Sequence, residues 1–193
     1  QEMQKQGYKP NSGDNEEIAK ASGKIDEAYI PSLVALFPKD AGGTNAIFKA
    51  VNREKIKPQD VPELIKFANK VRGTNTLYNY LARGEVSLDS IRKLSQIPKI
   101  ETASELGLFI FARILKEGVY DSSHIQAVLS IEIEQNDMDY LIANIKPNGL
   151  DLNAAFYILQ QAREKTDENE QFNIIDNLLQ EIEAGRLKVP PQR

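Results

Sequence analysis

The feature that most constrains the fold is an internal repeat, in which residues 44–64 and 74–94 carry the same pattern of apolar positions. The second stretch follows the first with an offset of 30 residues. The residues that recur identically are Thr44 and Thr74, Asn45 and Asn75, Arg53 and Arg83, and Leu64 and Leu94. A fixed period in this range is typical of stacked helical hairpins, because a single hairpin cannot bury its apolar face alone.

The rest of the chain alternates between helices that follow a polar cap residue and helices that follow a short turn. The predicted helices are Asn45–Arg53, Pro58–Val71, Asn75–Arg83, Leu88–Ile97, Ser104–Lys116, Ser122–Ile133, Met138–Ile145, Leu152–Lys165 and Asn169–Ala184. Several turns contain a glycine that can end a helix in the left-handed conformation, namely Gly84, Gly118, Gly149 and Gly185. These turns are unequally spaced, and no segment sustains the period of two that a strand needs. The sequence therefore predicts an all-α fold of degenerate helical-hairpin repeats, arranged as a short α-solenoid or an irregular helical bundle.

The composition divides the chain into three parts. Residues 1–23 are polar with few apolar side chains, which predicts an extended arm. Residues 24–188 form a single helical repeat domain, whose first apolar cluster from Ile25 to Phe37 ends before Gly42 and Gly43, because paired glycines stop a helix. Residues 189–193 contain two prolines and cannot continue a helix, so they form a tail or the start of a linker.

Composition and charge narrow the classes of site and partner. The 193 residues include no cysteine, which excludes disulfides, thiol catalysis and thiolate metal sites. The net charge of −4 disfavours a nucleic-acid-binding face. No apolar run approaches the roughly 20 residues that a transmembrane helix needs. The sequence begins at Gln1, which is compatible with a cleaved export signal or with a lipid anchor just upstream, so the compartment stays open.

The residues that could carry catalysis or bind metal have simpler structural interpretations. His124 is the single histidine, and it lies beside Asp121, Ser122 and Ser123 at a predicted helix start, where capping is expected. Neighbours in sequence rarely have the geometry of a catalytic triad. The acidic residues within 132–139 lack the ligand order of an EF-hand. We therefore expect no catalytic residue, cofactor or metal, and an enzyme with an acid pair formed across helices is the second alternative.

The segment from Leu64 to Leu94 resembles the helix-turn-helix of the phage-repressor family. The resemblance covers Leu64–Val71, Thr74–Arg83 and Ser87–Leu94. It implies that the middle segment is a recognition helix in the DNA major groove. The residues that would face bases are Asn75, Thr76, Tyr78 and Asn79, with Arg83 and Lys93 near phosphates. The same pattern already occurs thirty residues earlier and the total charge is acidic, so DNA binding is kept as the alternative function.

The sequence favours a non-catalytic protein–protein interaction module that is an accessory subunit or domain of a larger assembly. Such a module presents a rigid surface on which exposed aromatic and arginine side chains anchor the partner. We expect a protein partner rather than nucleic acid. The candidate partner-binding residues are Tyr8, Tyr78, Tyr80, Arg83, Tyr120 and Tyr140.

Overall fold

The described part of the chain is helical throughout, which confirms the predicted all-α class. The computed structural model describes residues 12–118, 121–129, 152–165 and 167–189, and these contain no β-strand. The predicted helix Met138–Ile145 and the turn at Gly149 lie outside the described residues. The α-helices are α1 (Ser12–Ser22), α2 (Ile30–Leu36), α3 (Ala41–Asn52), α4 (Val61–Lys70), α5 (Asn75–Arg83), α6 (Leu88–Gln96), α7 (Glu105–Glu117), α8 (Ser122–Leu129), α9 (Leu152–Arg163) and α10 (Glu168–Glu183).

Side-chain caps and glycines set the boundaries of these helices. Ser87 caps α6 by accepting from the N–H of Ser90, and Ser104 caps α7 in the same way. These caps satisfy N–H groups that the first turn of a helix leaves free. Gly84 ends α5 and Gly118 ends α7, with φ of 81° and 71°, a region in which a Cβ atom is strained. Helix α5 has the bounds that the sequence predicts.

Two predictions about the amino-terminal part are wrong. Residues 12–22 form α1 instead of an extended arm, because contacts with α3 compensate for their polar composition. Ala21 is buried, and Asn52 of α3 donates to the backbone carbonyl of Glu17 at 2.8 Å. Gly42 and Gly43 do not stop a helix but form the first turn of α3. The side chain of the cap residue Asp40 accepts a hydrogen bond from the N–H of Gly43, and the start of α5 lies so close to both glycines that a Cβ atom would not fit.

The first seven helices pack in two rows. Helices α1, α3, α5 and α7 lie side by side in that order, while α2 packs on α4 in the second row. Helix α4 is joined to α6 by hydrogen bonds, since Lys70 Nζ donates to the Ser95 carbonyl at 3.0 Å and Arg92 Nε to Glu63 at 2.9 Å. This order is compatible with stacked hairpins, and the repeat architecture itself stays a prediction.

Helix α7 lies against both rows and supplies much of the core. It packs on α5 and on α6. The sequence predicts a central helix here because apolar residues occur nearly all round it. Its buried side chains are Leu108, Phe109, Ile110, Phe111, Ala112, Ile114 and Leu115, so the prediction is confirmed.

The last two helices, α9 and α10, pack on each other. Their buried side chains, which belong to the hydrophobic core cluster, include Ile158 and Ala162 of α9 and Ile175 and Leu179 of α10. None of the helices within the described ranges combines the length and the hydropathy of a segment that crosses a bilayer.

Tyr78 is a polar group inside the core. Its side chain is fully buried, and its hydroxyl donates to the carbonyl of Leu64 at 2.7 Å. Burial raises the pKa of Tyr78 well above its ordinary value of 10.0, and the negative charge of Asp40 acts in the same direction. The folded state therefore keeps this phenol protonated under conditions in which the unfolded chain loses the proton.

Replacing Tyr78 with phenylalanine tests whether the Tyr78 hydroxyl is buried, hydrogen-bonded and protonated in the folded state. At about pH 7 the variant should lose about 1 kcal/mol of unfolding free energy, because a buried hydrogen bond is removed. Above about pH 10 the unfolded state binds fewer protons than the folded state, so stability falls by up to about 1.4 kcal/mol per pH unit in the wild type through this group. The phenylalanine variant lacks that loss, and the gap should close near pH 11. Urea unfolding across this pH range measures both chains, and a constant gap would contradict the assignment.

Candidate partner-binding surface

The amino-terminal ends of α3 and α5 are joined by one carboxylate. Asp40 Oδ1 accepts from the N–H of Gly43 at 2.8 Å and so caps α3. Its Oδ2 accepts from the N–H of Thr74 at 2.7 Å and from the Thr74 hydroxyl at 2.6 Å. Thr44 and Thr74, the first repeated pair in the sequence, are both fully buried near these contacts. Because one side chain serves both helices, α5 begins beside the first turn of α3, where Gly42 and Gly43 lie close to Asn75 and Thr74.

Glu105 joins α5 to α7 in a similar way. Its Oε1 accepts from the N–H and from the hydroxyl of Thr76, both at 2.7 Å. Carboxylates near helix amino ends also interact favourably with the helix dipole. We call Asp40, Gly43, Thr74, Thr76 and Glu105 the N-terminal junction. It aligns the starts of three neighbouring helices.

The carboxyl ends of α3 and α5 have the same local structure. Glu54 and Gly84 lie thirty residues apart, and both are left-handed, with φ of 56° and 81°. Lys55 and Glu85 each donate a backbone N–H to the carbonyl five residues earlier, at 3.0 Å. A six-to-one hydrogen bond of this kind closes a helix with a left-handed residue. The sequence offset of thirty therefore also relates two helix ends in space.

Two lysines bring the carboxyl ends of α3, α5 and α7 together. Lys116 Nζ donates to the carbonyls of Gly84 and Glu85, at 2.8 and 3.2 Å. Lys55 lies beside the same glycine, since a Cβ built on Gly84 would be 3.3 Å from Lys55 Nζ. Cations are favoured here because the last carbonyls of a helix carry partial negative charge. Since the starts of these helices are also joined, α3, α5 and α7 run in the same direction.

An aromatic pair and an arginine lie at the last turn of α5 and the adjoining part of α7. The rings of Tyr80 and Phe109 are stacked, with centroids 3.9 Å apart and planes 19° from parallel. The guanidinium carbon of Arg83 lies over the Tyr80 ring, 5.2 Å from its centroid. Phe109 is buried, Tyr80 is half-buried and Arg83 is exposed. The buried ring of Phe109 therefore supports the half-exposed ring of Tyr80, and the positive charge of Arg83 lies on the solvent side.

Three arginines recur at the period of the sequence repeat, one directly after α3, one at the last residue of α5 and one in the last two turns of α7. Arg53, Arg83 and Arg113 are separated by 30 residues each. Arg53 and Arg83 are exposed and, within the described part of the chain, neither forms an ion pair. Arg113 is half-buried and contacts Glu117 at 3.4 Å. We call Arg53, Tyr80, Arg83, Arg113 and Lys116 the helix-end surface.

In the second row of helices, Arg92 forms ion pairs with two carboxylates. Arg92 of α6 donates to Glu63 and to Asp60 of the preceding hairpin, at 2.9 and 3.2 Å. The hydrogen bond that Arg92 donates to Glu63 and the nearby negative charges raise the pKa of Arg92 above its ordinary value. Its charge is therefore matched by carboxylates, whereas Arg53 and Arg83 form no ion pair with any residue that the structure describes.

The candidate partner-binding residues predicted from the sequence fall into three groups in the structure. Tyr80 and Arg83 are brought together on the helix-end surface. Tyr78 is wrong as a partner-binding residue, because its side chain is fully buried and its hydroxyl bonds within the core. The candidates that lie outside the described residues are Tyr8, Tyr120 and Tyr140.

The residues implied by the helix-turn-helix resemblance also have other partners here. Helix α5 packs between α3 and α7. Tyr78 is buried, and both polar groups of Thr76 bond to Glu105. Asn79 donates to the side chain and the carbonyl of Asn75. Near the carboxyl end of α5, Tyr80 and Arg83 of the helix-end surface stay half-exposed or exposed, as does Asn79.

The residues around His124 form the capping arrangement expected for a helix start. Asp121 accepts from the backbone N–H of Ser123 at 2.8 Å and also from its hydroxyl. Elsewhere among the described residues, no group of three acidic or histidine side chains is placed to hold a metal ion. The acidic residues within 132–139 lie outside the described residues.

Sequence reasoning missed most of the polar residues that organise these helices. Asp40 precedes α3, where a carboxylate is a recognisable capping signal, whereas Glu105 carries no sequence signal for its contact with Thr76 of a neighbouring helix. Arg113 was also missed, and extending the spacing of Arg53 and Arg83 by one more period would have found it. Lys116 carries no sequence signal beyond its place near a helix end.

Comparison with known proteins adds no relative to this description. No family model, curated protein or solved structure matches the chain.

Proposed function

We propose that this chain is a non-catalytic protein–protein interaction module, an accessory subunit or domain of a larger assembly, and that it docks its partner on the helix-end surface. The observation that carries the proposal is the grouping of Tyr80, Phe109 and Arg83, a stacked aromatic pair with an exposed guanidinium over it. Aromatic and arginine side chains of this kind are enriched among residues that dominate binding energy.

The framework beneath this surface supports the proposal. Helices α3, α5 and α7 are joined at their starts through Asp40 and Glu105, and at their ends through Lys116. Side chains on such a framework lose little conformational entropy when a partner binds. The ring of Tyr80 is already held against Phe109 before a partner binds. A surface that is ordered before binding suits an interaction module, because less conformational entropy is lost when the partner binds.

The charges around the surface favour protein over nucleic acid. Three carboxylates lie among its cations, namely Glu54, Glu85 and Glu117. Nucleic-acid binding depends on neutralising many regularly spaced phosphates, and interspersed carboxylates oppose it. A protein partner supplies discrete charges that can avoid them. The acidic total charge of the chain acts in the same sense.

Replacing Arg83 with glutamate tests the proposal. A tagged wild-type chain and the variant are each incubated with extract of the source cells, and the captured proteins are quantified by mass spectrometry. A partner docked on this surface should fall by about tenfold in the variant, because an anchor is lost and a repulsive charge replaces it. The Arg72→Glu variant is the matched control, since Arg72 is exposed and precedes the opposite end of α5.

Capture that is unchanged in the Arg83 variant, or reduced equally in both variants, would contradict docking on the helix-end surface. Recovery of salt-released nucleic acid in place of protein would replace the proposal with the DNA-binding alternative. Circular dichroism of each variant shows that the helical fold is retained.

A further inference from the structure

The arginines of the helix-end surface form a row across three helices. Counting from equivalent positions, Arg53 follows Thr44 by nine residues, Arg83 follows Thr74 by nine, and Arg113 follows Ser104 by nine. Thr74 and Ser104 are the residues that precede α5 and α7. Thr44 lies in the first turn of α3, and the levels follow from contacts further along these parallel helices. Arg53 and Arg83 directly precede the left-handed residues Glu54 and Gly84, and Lys55 lies beside Gly84, so the ends of α3 and α5 are level. Phe109 of α7 is stacked on Tyr80 of α5, and Arg113 and Arg83 each lie about one turn further along, so the three arginines are at a similar level. The row crosses the helix axes instead of following one of them.

We infer that this row recognises an extended acidic peptide segment of the partner, with carboxylates at every third residue, and this inference rests on the proposed function. Packed helices lie about 8–10 Å apart. A peptide in the extended polyproline II conformation has three residues per turn and advances about 3.1 Å per residue, so every third side chain lies on the same face, about 9 Å further along. The spacing of the helices therefore matches the spacing of such carboxylates. A guanidinium group binds a carboxylate through two parallel hydrogen bonds, which fixes the register of the peptide.

The aromatic pair specifies what lies between the acidic residues. Tyr80 sits beside Arg83 and its ring is half-exposed above the buried ring of Phe109. An apolar or aromatic side chain of the peptide can pack on this ring while its neighbouring carboxylate meets Arg83. The peptide that the surface fits is therefore acidic with interspersed apolar residues.

The pattern of charge within the row favours separate carboxylates over a polyphosphate. Arg113 already contacts Glu117, and Glu54 and Glu85 directly follow the ends of α3 and α5. A continuous polyanion would pass close to these carboxylates and be repelled. Carboxylates spaced at every third residue meet the guanidinium groups, and the residues between them carry no charge. The row thus discriminates between two kinds of anionic chain.

The test uses fluorescence anisotropy with three labelled probes. The first is a peptide of about 12 residues in which Glu-Phe-Ser repeats, which is long enough to cross three helices. The second replaces every glutamate with glutamine, and the third is a single-stranded oligonucleotide of similar length. Each is titrated with the full wild-type chain and with a variant in which Arg53, Arg83 and Arg113 are all glutamine.

The matched control variant carries Lys39→Gln, Lys66→Gln and Arg72→Gln, which removes the same charge from exposed positions outside the row. We expect the acidic peptide to bind the wild type and the control equally. The row variant should bind it at least tenfold more weakly, since each exposed guanidinium–carboxylate contact contributes a factor of about two to five. The glutamine peptide should bind about as weakly to the wild type, and added salt should weaken the acidic complex.

Three outcomes would overturn the inference. Equal binding of the acidic and glutamine peptides would show that the surface takes an apolar peptide without reading carboxylates, and the proposed function would stand. Tighter binding of the oligonucleotide, lost in the row variant, would show that the row binds a polyanion. Absence of peptide binding to the wild type would reject the acidic segment, while partner capture with the Arg83→Glu variant reports separately on the proposed function.

Discussion

Replacing Asp40 with alanine is expected to lower the free energy of unfolding by about 3 kcal/mol. The loss of the α3 cap accounts for about 1 kcal/mol. The rest arises because the N–H and hydroxyl of Thr74, a fully buried residue, lose their acceptor, and an unsatisfied buried donor costs about 1–3 kcal/mol. For a chain of this size, the melting temperature should fall by about 6–12 °C. Differential scanning calorimetry measures the change.

Two further substitutions identify the cause of that loss. Asp26 also caps a turn through its side chain, but it is exposed, and among the described residues its carboxylate accepts only from Ala28, so Asp26→Ala should cost no more than about 1 kcal/mol. In Asp40→Asn only one acceptor oxygen remains for the Gly43 and Thr74 donors, so most of the loss should persist. A wild-type melting temperature in Asp40→Ala would refute the role assigned to the N-terminal junction.

Replacing Gly43 with alanine is expected to be the second large loss, about 2–3 kcal/mol. A Cβ at this position would overlap Thr74 Oγ1 and come within 2.7 Å of the carboxyl carbon of Asp40. Overpacking of this kind costs about 1–3 kcal/mol, and displacement of the Asp40 hydrogen bonds adds to it. The gain in helix propensity from glycine to alanine, about 1 kcal/mol, offsets part of the loss. Chemical denaturation gives the value.

Gly23→Ala is the matched control for this substitution. A Cβ at Gly23 would have no atom within 4 Å, so the change should alter stability by no more than about 0.5 kcal/mol. The double variant with Asp40→Ala should be less unstable than the sum of the single changes, because removing the carboxylate relieves part of the overlap. Strict additivity would show that the two residues do not act at one junction.

Much of the helical framework could be predicted from the sequence because its signals are local. The apolar period defines α5 to within its observed bounds, and Ser87, Ser104 and Gly84 are caps whose chemistry is readable in one turn of sequence. The repeat also held information about burial. It pairs Tyr78 with Phe48, which is buried too, so an apolar position was indicated for the tyrosine that was wrongly proposed for partner binding.

The remaining features depend on contacts between residues distant in the chain. Asp40 and Thr74 are separated by 34 residues and Thr76 and Glu105 by 29, and periodicity does not indicate which carboxylate reaches which donor. Helix α1 has a polar sequence, and its burial of Ala21 and its bond to Asn52 come from tertiary packing. The stacking of Tyr80 on Phe109 likewise requires two helices to be in place.

The most direct test of the proposed docking surface is photo-crosslinking from two positions. A photoreactive phenylalanine derivative replaces Asn79, which precedes Tyr80 on α5, or Lys66, which is exposed on α4 in the other row. Each chain is incubated with the captured partner and irradiated. Docking on the helix-end surface predicts an adduct from position 79 and none from position 66. An adduct from position 66 alone, or equal adducts from both positions, would contradict the account.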